Sequence, residues 1–167
     1  TTNDDSPTLG SEFFDESCHS HHGAYSETVY NYIEGCKLLN RVNNTVLEIG
    51  FGLGIGLKAT LEKIKPDLNN PLHFVSVELD PELIEWSKSH VQCDVFDFKL
   101  LQKIDNSYSY ESEHLKIEIL IGDATKTLAQ TELPSFNAIY QDAFSPKKNP
   151  DLWTVDWFEL LKKLASQ

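Results

Sequence analysis

The sequence contains no methionine, only three cysteines, and 14 basic residues against 26 acidic ones. Cys18, Cys36 and Cys93 are odd in number and widely spaced, which excludes a disulfide framework or a paired-cysteine metal motif and points to a reducing compartment. A formal charge of −12 and a pI near 4.8 leave the chain without the basic face of a protein that grips phosphate tightly. No apolar run approaches the roughly 18–20 residues that cross a bilayer. The opening Thr1-Thr2-Asn3-Asp4-Asp5-Ser6-Pro7 is acidic where a secretory signal is basic and then apolar, so a cytoplasmic location without membrane insertion is expected. The missing methionine leads to the expectation of a processed or truncated piece of a longer protein. What is present is ordinary for one globular domain: 167 residues, 40% hydrophobic and 24% charged.

Polar residues 1–23 predict an irregular arm whose Asp4, Asp5, Glu12, Asp15 and Glu16 face solvent. From Ala24 to Leu39, Tyr25, Val29, Ile33 and Cys36 recur at helical spacing and predict one helix packed on a sheet. Thr45 to Ile49 reads as a strand running into a glycine-rich turn, and Leu57 to Ile64 as a helix ending before Pro66. Leu72 to Glu78 is β-branched and aromatic like a buried strand, and Asp80-Pro81 starts a helix that runs to about His90. Val95 to Ile104 is expected to be helical, and Asn106 to His114 a polar loop. Lys116 to Ile121 and Phe136 to Tyr140 are further strands. Between them a helix capped by Asp123 runs to Gln130, and Leu152 to Leu164 forms a last helix. Four strands alternating with helices imply an α/β fold, a parallel sheet with helices on both faces, whose ligands bind beyond the carboxyl ends of the strands.

The residues just after each strand therefore matter most. Four of the eight glycines lie in Gly50-Phe51-Gly52-Leu53-Gly54-Ile55-Gly56, where a ligand can approach the main chain beside the unpaired N–H groups of a helix start. A tight turn without a ligand is the alternative. A dinucleotide fingerprint requires Gly-x-Gly-x-x-Gly or Ala, and only the register from Gly54 to Ala59 satisfies it, too far past the strand. The spacing Glu48-x-Gly50-x-Gly52-x-Gly54 instead resembles the first motif of class I S-adenosylmethionine-dependent methyltransferases. Glu78, closing the second strand, has a carboxylate able to accept from both hydroxyls of a ribose. Asp123 and the Ala124 N–H can meet an adenine edge, cap a helix, or do both. Glu48 either orients the ligand's amino group or braces the glycine turn. Asp142 closes the fourth strand and opens a proline-stiffened loop, Asp142-Ala143-Phe144-Ser145-Pro146-Lys147-Lys148-Asn149-Pro150-Asp151-Leu152-Trp153-Thr154.

That loop, with Ser6-Pro7-Thr8-Leu9 and His19-Ser20-x-x-Gly23-Ala24, resembles the methyltransferase domain of MnmC-type tRNA wobble-uridine modification enzymes over nearly the whole chain. The resemblance implies a Rossmann-like, doubly wound, mostly parallel sheet. It implies S-adenosyl-L-methionine as cofactor, held by Glu48, Gly50, Gly52, Gly54, Glu78, Asp123 and Ala124. It further implies methyl transfer to the exocyclic amine of 5-aminomethyl-(2-thio)uridine in tRNA, with Asp142 as the catalytic residue that holds the amine and stabilises the forming ammonium. Phe144, Lys147 and Lys148 fall on the substrate side, the lysines where an anticodon phosphate would lie; Tyr140, inside a strand, is expected in the core. Some relatives carry a flavin-dependent oxidoreductase domain, which nothing in this sequence resembles. Family members continue through further strands, so the single domain, with an arm and helix over 1–40 and a core over 45–167, is expected to be incomplete at its C-terminal end. Its fourth strand would then be an exposed, aggregation-prone edge.

His19, His21 and His22, beside Cys18, lack chelating spacing, and no metal is expected. The competing functions are an aminopropyltransferase or NAD(P)-dependent oxidoreductase on the same fold, and a non-catalytic nucleotide-binding scaffold.

Overall fold

Alternation along β1 (Asn44–Ile49) sends Val46 and Glu48 to one face of a sheet and Leu47 and Ile49 to the other. In this computed structural model, which describes Asp4, residues 10–11 and 16–17, and residues 23–166, β1 lies inside a six-stranded sheet. The others are β2 (Leu72–Glu78), β3 (Gln102–Ile104), β4 (Ser107–Glu111), β5 (Leu115–Ile121) and β6 (Ala138–Gln141). Their order is β3-β4-β5-β2-β1-β6. The four strands β5-β2-β1-β6 run parallel, and β3 and β4 join them antiparallel. A two-residue antiparallel ladder, Gly10–Ser11 with Glu16–Ser17, stands apart from this sheet.

The sheet buries both faces, as parallel strands require. On one face Val46, Phe74, Ile117 and Tyr140 pack with Ile33, Leu57, Leu61 and Ile84 from the helices α1 (Ala24–Thr28, continued as a π-helical turn over Val29–Glu34), α2 (Ile55–Ile64) and α3 (Pro81–His90). On the other, Leu47, Ile49, Val75 and Val77 meet Leu128 of α4 (Ala124–Gln130) and Trp157 and Leu161 of α5 (Val155–Leu164). Helix starts follow the capping chemistry in the sequence. Asp80 accepts the Glu82 N–H at 2.9 Å with Pro81 in the first turn, Asp123 accepts the Thr125 N–H at 3.0 Å, and Thr154 accepts the Trp157 N–H at 3.1 Å.

Several expectations are corrected. The stretch read as a helix over Val95–Ile104 and a loop over 106–114 is a single 3-10 turn, Phe98–Leu100, followed by the β3–β4 hairpin, giving six strands in the sheet where four were expected. The hairpin succeeds because Tyr108 and Tyr110 alternate with serines, placing Tyr108 in the core while Asp105 takes the left-handed turn conformation at φ 49°. The helix expected over 24–39 breaks into α1, its π-helical continuation and a 3-10 turn at Leu38–Asn40. The last helix starts at Val155, after a 3-10 turn at Pro150–Trp153. Asp4 is not a free surface acid: its carboxylate accepts the backbone N–H and the hydroxyl of Ser26, both at 2.9 Å, capping α1. At the other side of the sheet β6 pairs with β1, and Phe136, just before it, bridges in parallel to Ala165. No helix among the described residues is long and apolar enough to cross a membrane.

Candidate functional site

The carboxyl ends of β1, β2, β5 and β6 open into one cavity of about 540 Å³, a volume suited to a nucleoside-sized ligand. Its floor is the turn between β1 and α2. Gly50, at φ 89°, has no room for a side chain, since a Cβ there would stand 3.0 Å from the Asp142 carbonyl oxygen. Gly52, at φ 52°, presents its bare α-carbon to open space with no atom within 4 Å of a would-be Cβ. That open main chain lies along the cavity wall.

Glu78 ends β2 and ties the turn down. Its Oε2 accepts the Gly52 N–H at 2.8 Å and its Oε1 accepts the Asp80 N–H at 2.9 Å. Burial pushes its pKa up, with the N–H groups of Asp80, Gly52 and Leu79 opposing the rise. Three N–H groups on a carboxylate with about four lone-pair sites leave it acceptor capacity for a ligand hydroxyl. Asp123, after β5, is the N-cap of α4: Oδ1 accepts from the Thr125 N–H and hydroxyl, at 3.0 and 2.7 Å, and Oδ2 lies 3.2 Å from Lys126 Nζ. The Thr125 hydrogen bond leads the causes that hold this carboxyl below its ordinary range, so it is an anion beside the cavity. The next N–H, that of Ala124, is in the first turn of α4 and has no carbonyl to bond within the helix.

Glu48 stands differently. It is buried among its strand neighbours Ser76 and Tyr140, and its Oε2 accepts the Ser76 hydroxyl at 2.8 Å. A Cβ on Gly56 would overlap Glu48 Oε1. The carboxylate therefore fills the notch left by a glycine in α2, underneath the turn and outside the cavity lining. Gly56→Ala is expected to cost about 1–3 kcal/mol through overpacking. The Gly56→Ala/Glu48→Ala double variant should lose less than the sum of the single losses in a thermal unfolding cycle.

Burial, then the charge of Asp142, raise the Glu48 pKa well above its ordinary value, with the Ser76 hydroxyl opposing and Glu78 adding. The native state thus holds this proton more tightly than the unfolded chain. The associated stability is fully present below the unfolded-state pKa and is lost as pH rises through the folded-state pKa. Melting temperatures of the native protein and of Glu48→Gln should converge below about pH 4 and separate in favour of the glutamine variant as pH rises.

Asp142 follows β6, its N–H donating to the Ile49 carbonyl at 3.1 Å. Tyr32, in the π-helical turn, donates its hydroxyl toward Asp142 Oδ1 at 3.0 Å. The loop beyond is pinned at both ends. Trp153 Nε1 donates to the Phe144 carbonyl at 2.9 Å, Gln141 Nε2 to the Leu152 carbonyl at 2.9 Å, and Trp157 Nε1 to Gln141 Oε1 at 3.1 Å.

Of the residues singled out in the sequence, Gly50, Gly52, Glu78, Asp123, Ala124, Asp142, Phe144 and Lys148 line this one cavity. Glu48, Gly54 and Lys147 do not: Glu48 is beneath the turn, Gly54 is the N-cap of α2 backed by Phe98 and Phe51, and Lys147 is exposed on the loop. Cys18, His19, His21, His22 and the Ser6–Leu9 segment lie outside the described residues. Among the described residues no cluster of histidine, cysteine, aspartate and glutamate is able to hold a metal ion. The sequence reading missed Glu27, Leu79, Leu83 and Thr125, which also line the cavity, and Tyr32 behind Asp142. The missed leucines follow Glu78 directly or at helical spacing, a signal that position after a strand end could have supplied; Tyr32 is 110 residues from its partner and had none.

The donor set fits S-adenosyl-L-methionine: a buried carboxylate for a ribose diol, an aspartate and adjoining N–H for an adenine edge, and open main chain at Gly52 between them.

The comparisons agree. A family model described as an S-adenosyl-L-methionine-dependent methyltransferase matches residues 86–167. The tRNA 5-methylaminomethyl-2-thiouridine biosynthesis bifunctional protein MnmC of Paraburkholderia phymatum is 33% identical over 181 residues, covering 96% of this chain and 27% of that protein. An uncharacterised protein of Methanocaldococcus jannaschii is 29% identical over 168 residues, 97% of this chain and 46% of its own length. The crystal structure of MNMC2 from Aquifex aeolicus superposes with a TM-score of 0.73 at 28% identity, over 99% of this chain and 55% of that one. The chain thus spans about a quarter to a half of the curated relatives it matches. Sequence, sheet order and family model converge, and the chain belongs to the S-adenosyl-L-methionine-dependent methyltransferases, as a domain of the MnmC type.

Proposed function

We propose that this protein methylates the exocyclic amine of 5-aminomethyluridine, with or without 2-thiolation, at the wobble position of tRNA. The observation that carries this reading is the convergence of Glu78, Asp123 and Asp142, from the tips of three strands, on one cavity floored by the glycine turn. The name of the Paraburkholderia relative, a tRNA 5-methylaminomethyl-2-thiouridine biosynthesis protein, supports the substrate. Bound there, S-adenosyl-L-methionine supplies a methyl group made electrophilic by its sulfonium.

The residues supply alignment, the main requirement of an in-line displacement. Glu78 accepts the ribose hydroxyls, and Asp123 with the Ala124 N–H meets the adenine edge. Gly50 and Gly52 let the ligand lie against the main chain, with Gly54 starting the helix behind them and Glu48 bracing the turn from below. Asp142 accepts a hydrogen bond from the neutral amine, orients its lone pair and stabilises the ammonium as it forms. Phe144 offers a face to the uracil, and Lys147 and Lys148 offer charge to an anticodon phosphate. With a net charge of −12, such positive groups must be concentrated near the site for RNA to bind. Residues 1–40 and 45–167 act as one domain, in the cytoplasm, receiving an aminomethyl substrate prepared by a fused or separate flavin-dependent oxidoreductase or another aminomethyl-forming enzyme.

Mass spectrometry of nucleosides from aminomethyl-bearing tRNA, incubated with the protein and S-adenosyl-L-methionine, tests the reading. Conversion of the aminomethyluridine to its N-methyl form is expected; an unchanged nucleoside profile would overturn it. Calorimetry should show binding of S-adenosyl-L-methionine in preference to its decarboxylated form and to NAD.

A further inference from the structure

We infer that Tyr32 is a positioning residue, holding the Asp142 carboxylate in the rotamer that meets the substrate amine. The inference rests on the function proposed above. Tyr32 occupies a π-helical turn, Val29–Glu34, an irregularity that recurs at functional sites, and its ring packs on the core beside Tyr25, Val29 and Cys36. Its ring stacks on Tyr140 with centroids 4.8 Å apart and planes 20° from parallel. Tyr140 is in turn fixed by a 3.0 Å hydrogen bond between its hydroxyl and Thr60 Oγ1 of α2. A rigid aromatic pair therefore delivers the Tyr32 hydroxyl to the end of β6.

At that point the hydroxyl lies 3.0 Å from two acceptors, Asp142 Oδ1 and the Gln141 carbonyl. A phenol has one proton to donate, and an anionic acceptor draws it more strongly than a neutral carbonyl. Oδ1 is thereby held, and with it the rotamer in which the carboxylate faces the cavity. Burial, with the Asp142 charge and its hydrogen bond, pushes the Tyr32 phenol far above its ordinary range, so it remains a donor at any working pH.

Tyr32→Phe keeps the ring and its stack while removing only the donor. The expected result is a fall in kcat of about tenfold, the scale of one hydrogen bond to a charged group. The melting temperature and the Kd for S-adenosyl-L-methionine should stay unchanged. An unaltered kcat overturns the inference. So does a kcat loss that comes with matching losses in melting temperature and cofactor affinity, which would mark Tyr32 as structural.

A second measurement does not depend on the reaction. Asp142 is faced by Tyr32 and by Glu48, and shares the cavity with Glu27, Glu78, Asp123, Lys148 and Asp151. Losing the phenol donor should move the titration midpoint of the Asp142 carboxyl carbon in NMR upward by about one pH unit. If the native protein methylates no aminomethyl tRNA, the proposed function falls, and this titration still decides the inference, an unmoved midpoint overturning it.

Discussion

Asp142→Ala is expected to abolish methyl transfer to tRNA, lowering kcat by about 100- to 10,000-fold, while the Kd for S-adenosyl-L-methionine changes by less than about threefold. The separation follows from where the residue stands. Asp142 comes from β6, and its carboxyl oxygen is held by Tyr32 on the side of the cavity bounded by the loop over 143–152. Glu78 comes from β2, which β1 separates from β6, and it ties down the glycine turn through Gly52. An amine becomes a nucleophile only as the neutral base, and the methylated product bears a new positive charge. A fixed carboxylate next to the nitrogen favours both the aligned lone pair and the developing cation. Single-turnover assays paired with calorimetry measure the two quantities separately. Full activity in the alanine variant would remove Asp142 from the mechanism.

The second large effect is expected at Glu78. Glu78→Gln preserves size but places an NH2 group opposite either the Gly52 or the Asp80 N–H, where the carboxylate now accepts both. A donor facing a donor in a buried position loses one hydrogen bond and disturbs the glycine turn, and the charge that strengthens hydrogen bonds from a ribose diol is gone. The Kd for S-adenosyl-L-methionine should rise by about 10- to 100-fold, with kcat at saturating cofactor reduced much less. Calorimetry and a cofactor titration of activity measure it. An unchanged Kd would exclude Glu78 from cofactor binding.

Most of the framework was legible because local chemistry and tertiary need agree there. Leu72–Glu78 is apolar enough to lie buried between β1 and β5, and the Asp80-Pro81 start of α3 carries its own capping and first-turn residues. The glycine turn could be located, and its neighbours Glu78, Asp123 and Asp142 followed from the rule that ligands meet strand tips. The β3–β4 hairpin was missed because its Ser-Tyr-Ser-Tyr alternation is polar, and its packing comes from distant partners: Tyr108 enters the core, and Phe96 packs edge-on against Tyr110 at 5.0 Å. Glu48 carried two readings in the sequence, and strand alternation decides where it points. Its side chain falls on the α2 face, into the space left by Gly56, a contact no linear spacing announces. Tyr32 was passed over because the apolar stripe of Tyr25, Val29, Ile33 and Cys36 drew attention to its neighbours. It packs against the same core cluster as that stripe, and its hydroxyl reaches Asp142 beyond the cluster's edge.

The three side-chain bonds that pin the segment beyond β6, from Gln141 to Leu152, Trp153 to Phe144 and Trp157 to Gln141, also bear on how molecules enter and leave. Lifting that segment would break the Gln141–Leu152 and Trp153–Phe144 bonds, at a net cost of about 1 kcal/mol each, while the Trp157–Gln141 bond, between α5 and β6, holds the base in place. That cost sets the rim in its closed position most of the time, and variants that remove the Gln141 or Trp153 side-chain donor should admit and release the nucleoside faster.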